Sequence, residues 1–129
     1  MEQPLVEFEL TKEFRDRFQQ ALDEQDDSFI RKILEDVKPA DITALLYEFN
    51  SQESKYVMDL LSIETQAEII SDLDPDTRKR FLKVYPPKEI INFLNQLASD
   101  DTADILNELP IKEREQVLSG LEPELKMQV

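Results

Sequence analysis

Asp100, Asp101 and Asp104 are the side chains of this sequence best suited to chemistry, and the chemistry is that of a hard cation. They lie in residues 98–114, which read A-S-D-D-T-A-D-I-L-N-E-L-P-I-K-E-R. On a helix Asp100, Asp104 and Glu108 are four apart and share one face, while Asp101 stands three before Asp104. Like charges at that spacing oppose helix formation by roughly 0.2–0.5 kcal/mol per pair. No Lys or Arg occurs between Lys88 and Lys112 to relieve them. Such a stripe calls for a cation or a basic partner. Mg²⁺ takes oxygen ligands, commonly one or two carboxylates with several waters retained. The three aspartates are therefore candidate Mg²⁺ ligands, weak by themselves, with water or another domain completing the shell. Asp100 and Asp101 have a structural use as well, since acids in a first helical turn complement the helix dipole.

Asp72, Asp74 and Asp76 form a second acidic group. They do not make a calcium loop, because the loop glycine and the closing Glu are missing. Asp74, directly before Pro75, reads as a helix N-cap. The chain has no His and no Cys, so zinc sites, disulfides and Cys/His nucleophiles are excluded. A carboxylate pair could in principle serve a glycosidase. Short stacked helices offer no cleft for one, and no enzyme activity is expected.

The elements that must position these acids follow from composition and periodicity. The 129 residues carry 29 acids against 15 bases, a net charge of −14, which excludes nucleic acid as an expected partner. Divalent cations or a basic protein face suit it instead. No stretch reaches the ~20 apolar residues of a membrane span, so direct membrane insertion is not expected. A single Gly argues against a turn-rich sheet fold.

Residues 1–10 are expected to be a lead-in, and residues 11–129 one helical repeat domain. Thr11 reads as the cap of a first helix carrying Phe14, Phe18, Ala21 and Leu22. Phe29, Ile30, Ile33, Leu34 and Val37 mark a second. From there Val37, Phe49, Leu61, Leu73, Tyr85, Leu97, Leu109 and Leu121 recur every 12 residues, read as the last apolar residue of each helix. Apolar residues stand three and four places before each of them, one helical stripe per unit. Pro39, Pro75, Pro87 and Pro123 fall two places after, where Pro suits a first turn. Ser51 and Ser99 read as further caps. The expected unit is about ten helical residues and a two-residue turn. Helices so short must bury their stripes on one another. The expected fold is all-α: a right-handed, armadillo-like superhelical solenoid of about ten short helices. The last unit, residues 123–129, stops where its stripe would begin, so the chain is expected to be a piece of a longer protein.

The pattern D-x-A-D-x-L-x-x-L-P-x-x-x-R, carried by Asp101, Ala103, Asp104, Leu106, Leu109, Pro110 and Arg114, resembles the N-terminal cytosolic domain of the MgtE family of bacterial magnesium transporters. Lys38-Pro39-Ala40-Asp41 followed by Leu45-Leu46 is similar to an earlier unit of that family, in which His often replaces Lys38. Leu121, Pro123 and Glu124 also fit. The resemblance covers roughly residues 37–125. It implies a cytoplasmic superhelix at the inner-membrane face, followed by a CBS-pair domain and a membrane pore, in a homodimeric full-length protein. It also implies a regulatory, Mg²⁺-sensing role: ions shared between the acidic superhelix and the CBS pair hold the pore shut, and their loss lets it open. Asp101 and Asp104 are the positions it points to, with Asp100 beside them. The alternative is a protein-binding scaffold without metal, like the short-helix solenoids of the flagellar motor switch protein, whose E-H-P-Q motif is absent here.

Overall fold

The structure, a computed structural model, describes residues 11–129. The lead-in expected at residues 1–10 lies outside the described residues. Among these there are ten helices and no strand: α1 (Lys12–Glu24), α2 (Asp27–Leu34), α3 (Pro39–Leu46), α4 (Ser51–Met58), α5 (Ile63–Asp72), α6 (Pro75–Leu82), α7 (Pro87–Leu94), α8 (Ser99–Glu108), α9 (Ile111–Ser119) and α10 (Pro123–Gln128).

Side-chain caps mark the starts of five of them, α1, α2, α4, α5 and α6. The Thr11 hydroxyl accepts from the Phe14 amide at 3.0 Å, and the Asp26 carboxylate accepts from that of Phe29 at 3.2 Å. Asn50 and Glu53 form a reciprocal capping box at α4. Asn50, not Ser51, is therefore the cap, and Ser51 is the first helical residue. Likewise Ala98 holds the cap position of α8 without a side-chain bond, and Ser99 is the first residue inside.

The 12-residue phase holds, with one change in how it is built. The anchors from Val37 to Leu121 are not helix-terminal; they sit one to three residues beyond the last helical residue. The helices are correspondingly shorter and the connections run from two to four residues. The cause is a tightened last turn. The amides of Phe49, Leu61, Tyr85, Leu97 and Leu109 each bond the carbonyl three residues back, at 2.9–3.1 Å. Three-residue bonds of this kind close a helix and turn the chain.

From α3 to α9 packing joins helices two places apart, α3 on α5, α5 on α7, α7 on α9, and in a second row α4 on α6 and α6 on α8; α1 packs instead on α2, and α8 also packs on α9. This is the stacking expected of a helical solenoid. Leu45, Val57, Met58, Ile69, Ile70, Leu94, Ile105 and Val117 are almost wholly buried between the rows. Phe81, Tyr85 and Phe93 stack edge to face at 5.1 and 5.0 Å. At the other end Phe18 is buried against Phe49, and Phe14 and Phe29 pack partly buried on the core.

Candidate functional site

α8 carries the three candidate aspartates, and its fit to the core fixes which way they look. Thr102, Ile105 and Leu106 are buried. The Thr102 hydroxyl donates to the Leu94 carbonyl at 3.1 Å, tying α8 to the end of α7. That leaves Asp100 and Asp104 exposed and Asp101 half-buried. Asp100 spends one carboxylate oxygen on the Asp101 amide at 3.0 Å, covering a helix-start donor where Ala98 gives no cap.

The stripe is less bare than its own stretch of sequence implies. Glu108 is held by Arg78 of α6, through Nε to Oε1 at 2.8 Å and Nη2 to Oε2 at 2.6 Å. Arg78 is a buried residue and also donates to the carbonyls of Ile70, Ser71 and Leu73 at 3.1–3.2 Å. Its pKa is raised, first by the bond to Glu108 and further by the negative charges of Asp104 and Asp101. Glu108 is thus engaged. Asp101 and Asp104 make no side-chain hydrogen bond or close ion pair among the described residues.

Asp101 looks into a surface groove that is also lined by Glu68 and Asp72 of α5. Local spacing around Asp101 cannot reveal this, because the residues lie about 30 places apart in sequence. A signal did exist. Glu64, Glu68 and Asp72 are themselves four apart, with no Lys or Arg between Lys55 and Arg78, the same criterion that singles out α8.

The donors suit Mg²⁺ in kind, since carboxylate oxygens are the hard ligands it takes. Their number and arrangement supply only part of a shell. Among the described residues no group of three or more acidic side chains is arranged to hold a metal ion.

The second acidic group comes apart. Asp72 ends α5, and Asp76 is exposed in the first turn of α6. Asp74 caps α6: it accepts from the Thr77 amide at 2.9 Å, the Thr77 hydroxyl at 2.8 Å and the Tyr47 hydroxyl at 2.9 Å. Those donors, the Thr77 amide first, lower its pKa to about 2.

Residues 37–129 match the family described as the MgtE intracellular N domain. Among solved structures, the chain is similar to the cytosolic domain of the Mg²⁺ channel MgtE, a crystal structure in complex with ATP. The TM-score is 0.74 at 30% identity, over 84% of this chain and 45% of that one. The chain therefore spans less than half the length of this relative. No curated protein matches it. Among the described residues no helix is long and apolar enough to cross a membrane.

Proposed function

From the premise that this chain belongs to the MgtE intracellular N domain family, we propose that it is a regulatory, Mg²⁺-sensing module of a magnesium-transport protein. The observation that carries this reading is the pair Asp101 and Asp104 on a domain of that family, two carboxylates that no basic side chain among the described residues contacts. Asp101 and Asp104 would hold the ion, with the second oxygen of Asp100 beside them. The ion supplies charge neutralisation between acidic surfaces that otherwise repel. The incomplete shell fits sharing with a further domain, which we take to be a CBS pair between this module and a pore at the cytosolic face of the membrane, in a homodimeric full-length protein. Two repelling faces bridged by ions are a bistable element that ion concentration can bias.

The test is an NMR titration of the ¹⁵N-labelled chain with Mg²⁺ at constant ionic strength, in wild type and in D101N/D104N. Saturable shifts confined to residues 99–108 and to Glu68 and Asp72 across the groove, lost in the double variant, are expected. Isolated from any completing domain, the affinity should be weak, with Kd of about 1 mM or above. Shifts spread evenly over all acidic residues and indifferent to the substitutions would show diffuse screening and end the sensor reading.

A further inference from the structure

In a chain of net charge −14, three lysines without partners gather at one pocket. Lys79 of α6, Lys83 just beyond it and Lys112 of α9 rim a depression of about 380 Å³. The floor is set by apolar core side chains, Leu82, Tyr85, Ile90 and Leu109, each only 3–6% exposed. Pro87 and Pro110 stand in its walls, at the starts of α7 and α9, so part of the lining is conformationally fixed. None of the three lysines makes an ion pair or side-chain hydrogen bond among the described residues. All three are exposed. Lys79 and Lys83 stand at the C-terminal end of α6, where positive charge complements the helix dipole, but being four apart they also repel one another. Glu113 lies at the same rim, which leaves an excess of two positive charges, three less one. Beyond that dipole contribution at the end of α6, no acid among the described residues pairs with these lysines, and elsewhere acids outnumber bases.

We infer that this pocket between the α6–α7 connection and the start of α9 is a binding site for a small organic anion, an apolar ring or chain carrying a phosphate or carboxylate. The volume lies in the range of roughly 300–1,000 Å³ usual for small-molecule sites, which combine an apolar lining with a few placed polar groups. Lysine ammonium groups on flexible stems act as point charges that close over an anion once the apolar body is seated. Inorganic phosphate alone would leave the apolar floor unused, and a neutral ring would leave the lysines unused. The site is separate from α8 and stands whether or not the Mg²⁺ reading does.

The probe is 1-naphthyl phosphate, followed by ¹⁵N NMR on the whole chain, with inorganic phosphate and 1-naphthol as the charge-only and ring-only arms. Saturable shifts centred on Leu82, Tyr85, Ile90 and Leu109 are expected, with Kd below about 1 mM. Binding in K79Q/K83Q/K112Q should be at least about tenfold weaker, with the rest of its spectrum unchanged because the substituted residues are exposed. If the triple variant does not fold, K112Q alone should show a partial loss. Shifts that survive the lysine substitutions, or that inorganic phosphate or 1-naphthol reproduces at equal concentration, would overturn the inference. So would the absence of saturation up to about 5 mM.

Discussion

At Asp74 a carboxylate that composition alone would assign to a general acidic surface is instead held by three donors. Its pKa in the folded chain is about 2, against 3.8 ordinarily. The sign of the consequence follows from linkage. Below 3.8 the unfolded chain takes up this proton while the folded chain resists until about 2. The stabilising contribution is therefore complete above about pH 4 and falls away as pH drops toward 2. An Asn can keep a capping bond without titrating, so D74N isolates the charge. Urea unfolding should find wild type more stable than D74N at about pH 6, with the difference shrinking steadily below about pH 4. The other acids titrate in both proteins and cancel. A wild-type advantage that stays constant down to about pH 2.5 would mean that shape, not charge, makes this cap.

At the scale of the element, the open question is how so many helices end with one glycine in the chain. A left-handed glycine is a common way to finish a helix, and here side chains of the following helix do that work. Ser54, Arg78, Thr102 and Arg114 each donate to the carbonyl eight residues back, at 3.3, 3.1, 3.1 and 2.9 Å. All four stand five places after an anchor, inside the first turns of α4, α6, α8 and α9. The sequence exposes that column, but its residue types are so unlike that no chemistry suggests itself until the preceding helix end is seen above it. Arg78 does most, because it also neutralises half-buried Glu108. R78M would strand that carboxylate and leave three carbonyls short of a donor, at a cost of about 3–5 kcal/mol, whereas T102V should cost only about 1 kcal/mol. Adding E108Q to R78M should recover part of the loss. A denaturant series on the four proteins decides it: R78M no worse than T102V, or no recovery in R78M/E108Q, would show that the Arg78–Glu108 pair does not hold α6 to α8.

For the whole molecule, what the sequence reveals is what repeats. Burial demands an apolar stripe from every helix, so the 12-residue phase and the all-helical class could be read directly. Asp104 lies outside the apolar stripe and is exposed, as that phase leaves it, whereas Asp101 is half-buried at the groove it shares with Glu68 and Asp72. What could not be read is what joins one turn of the solenoid to another. Arg15 meets Glu48, Tyr47 meets Asp74, Arg78 meets Glu108 and Asn95 meets the amide of Glu122, at separations of 27–33 residues. Packing on the helix two places along sets those distances, and each pair is made of residues unremarkable in their own stretch. Such links leave most of the acids among the described residues without an ion-pair partner, in a chain of net charge −14. Repulsion of that kind is long-ranged at low salt and is screened beyond about 10 Å at 0.1 M. The fold should therefore gain stability with ionic strength: roughly 1 kcal/mol, or a Tm rise of about 3–6 °C, between about 10 and 150 mM NaCl. Thermal unfolding by circular dichroism measures it. D101N/D104N should unfold at a higher Tm than wild type at the low end of that range and converge with it at the high end. A Tm independent of salt in both proteins would mean that the acids are already locally compensated, and that repulsion is not available for a divalent ion to relieve.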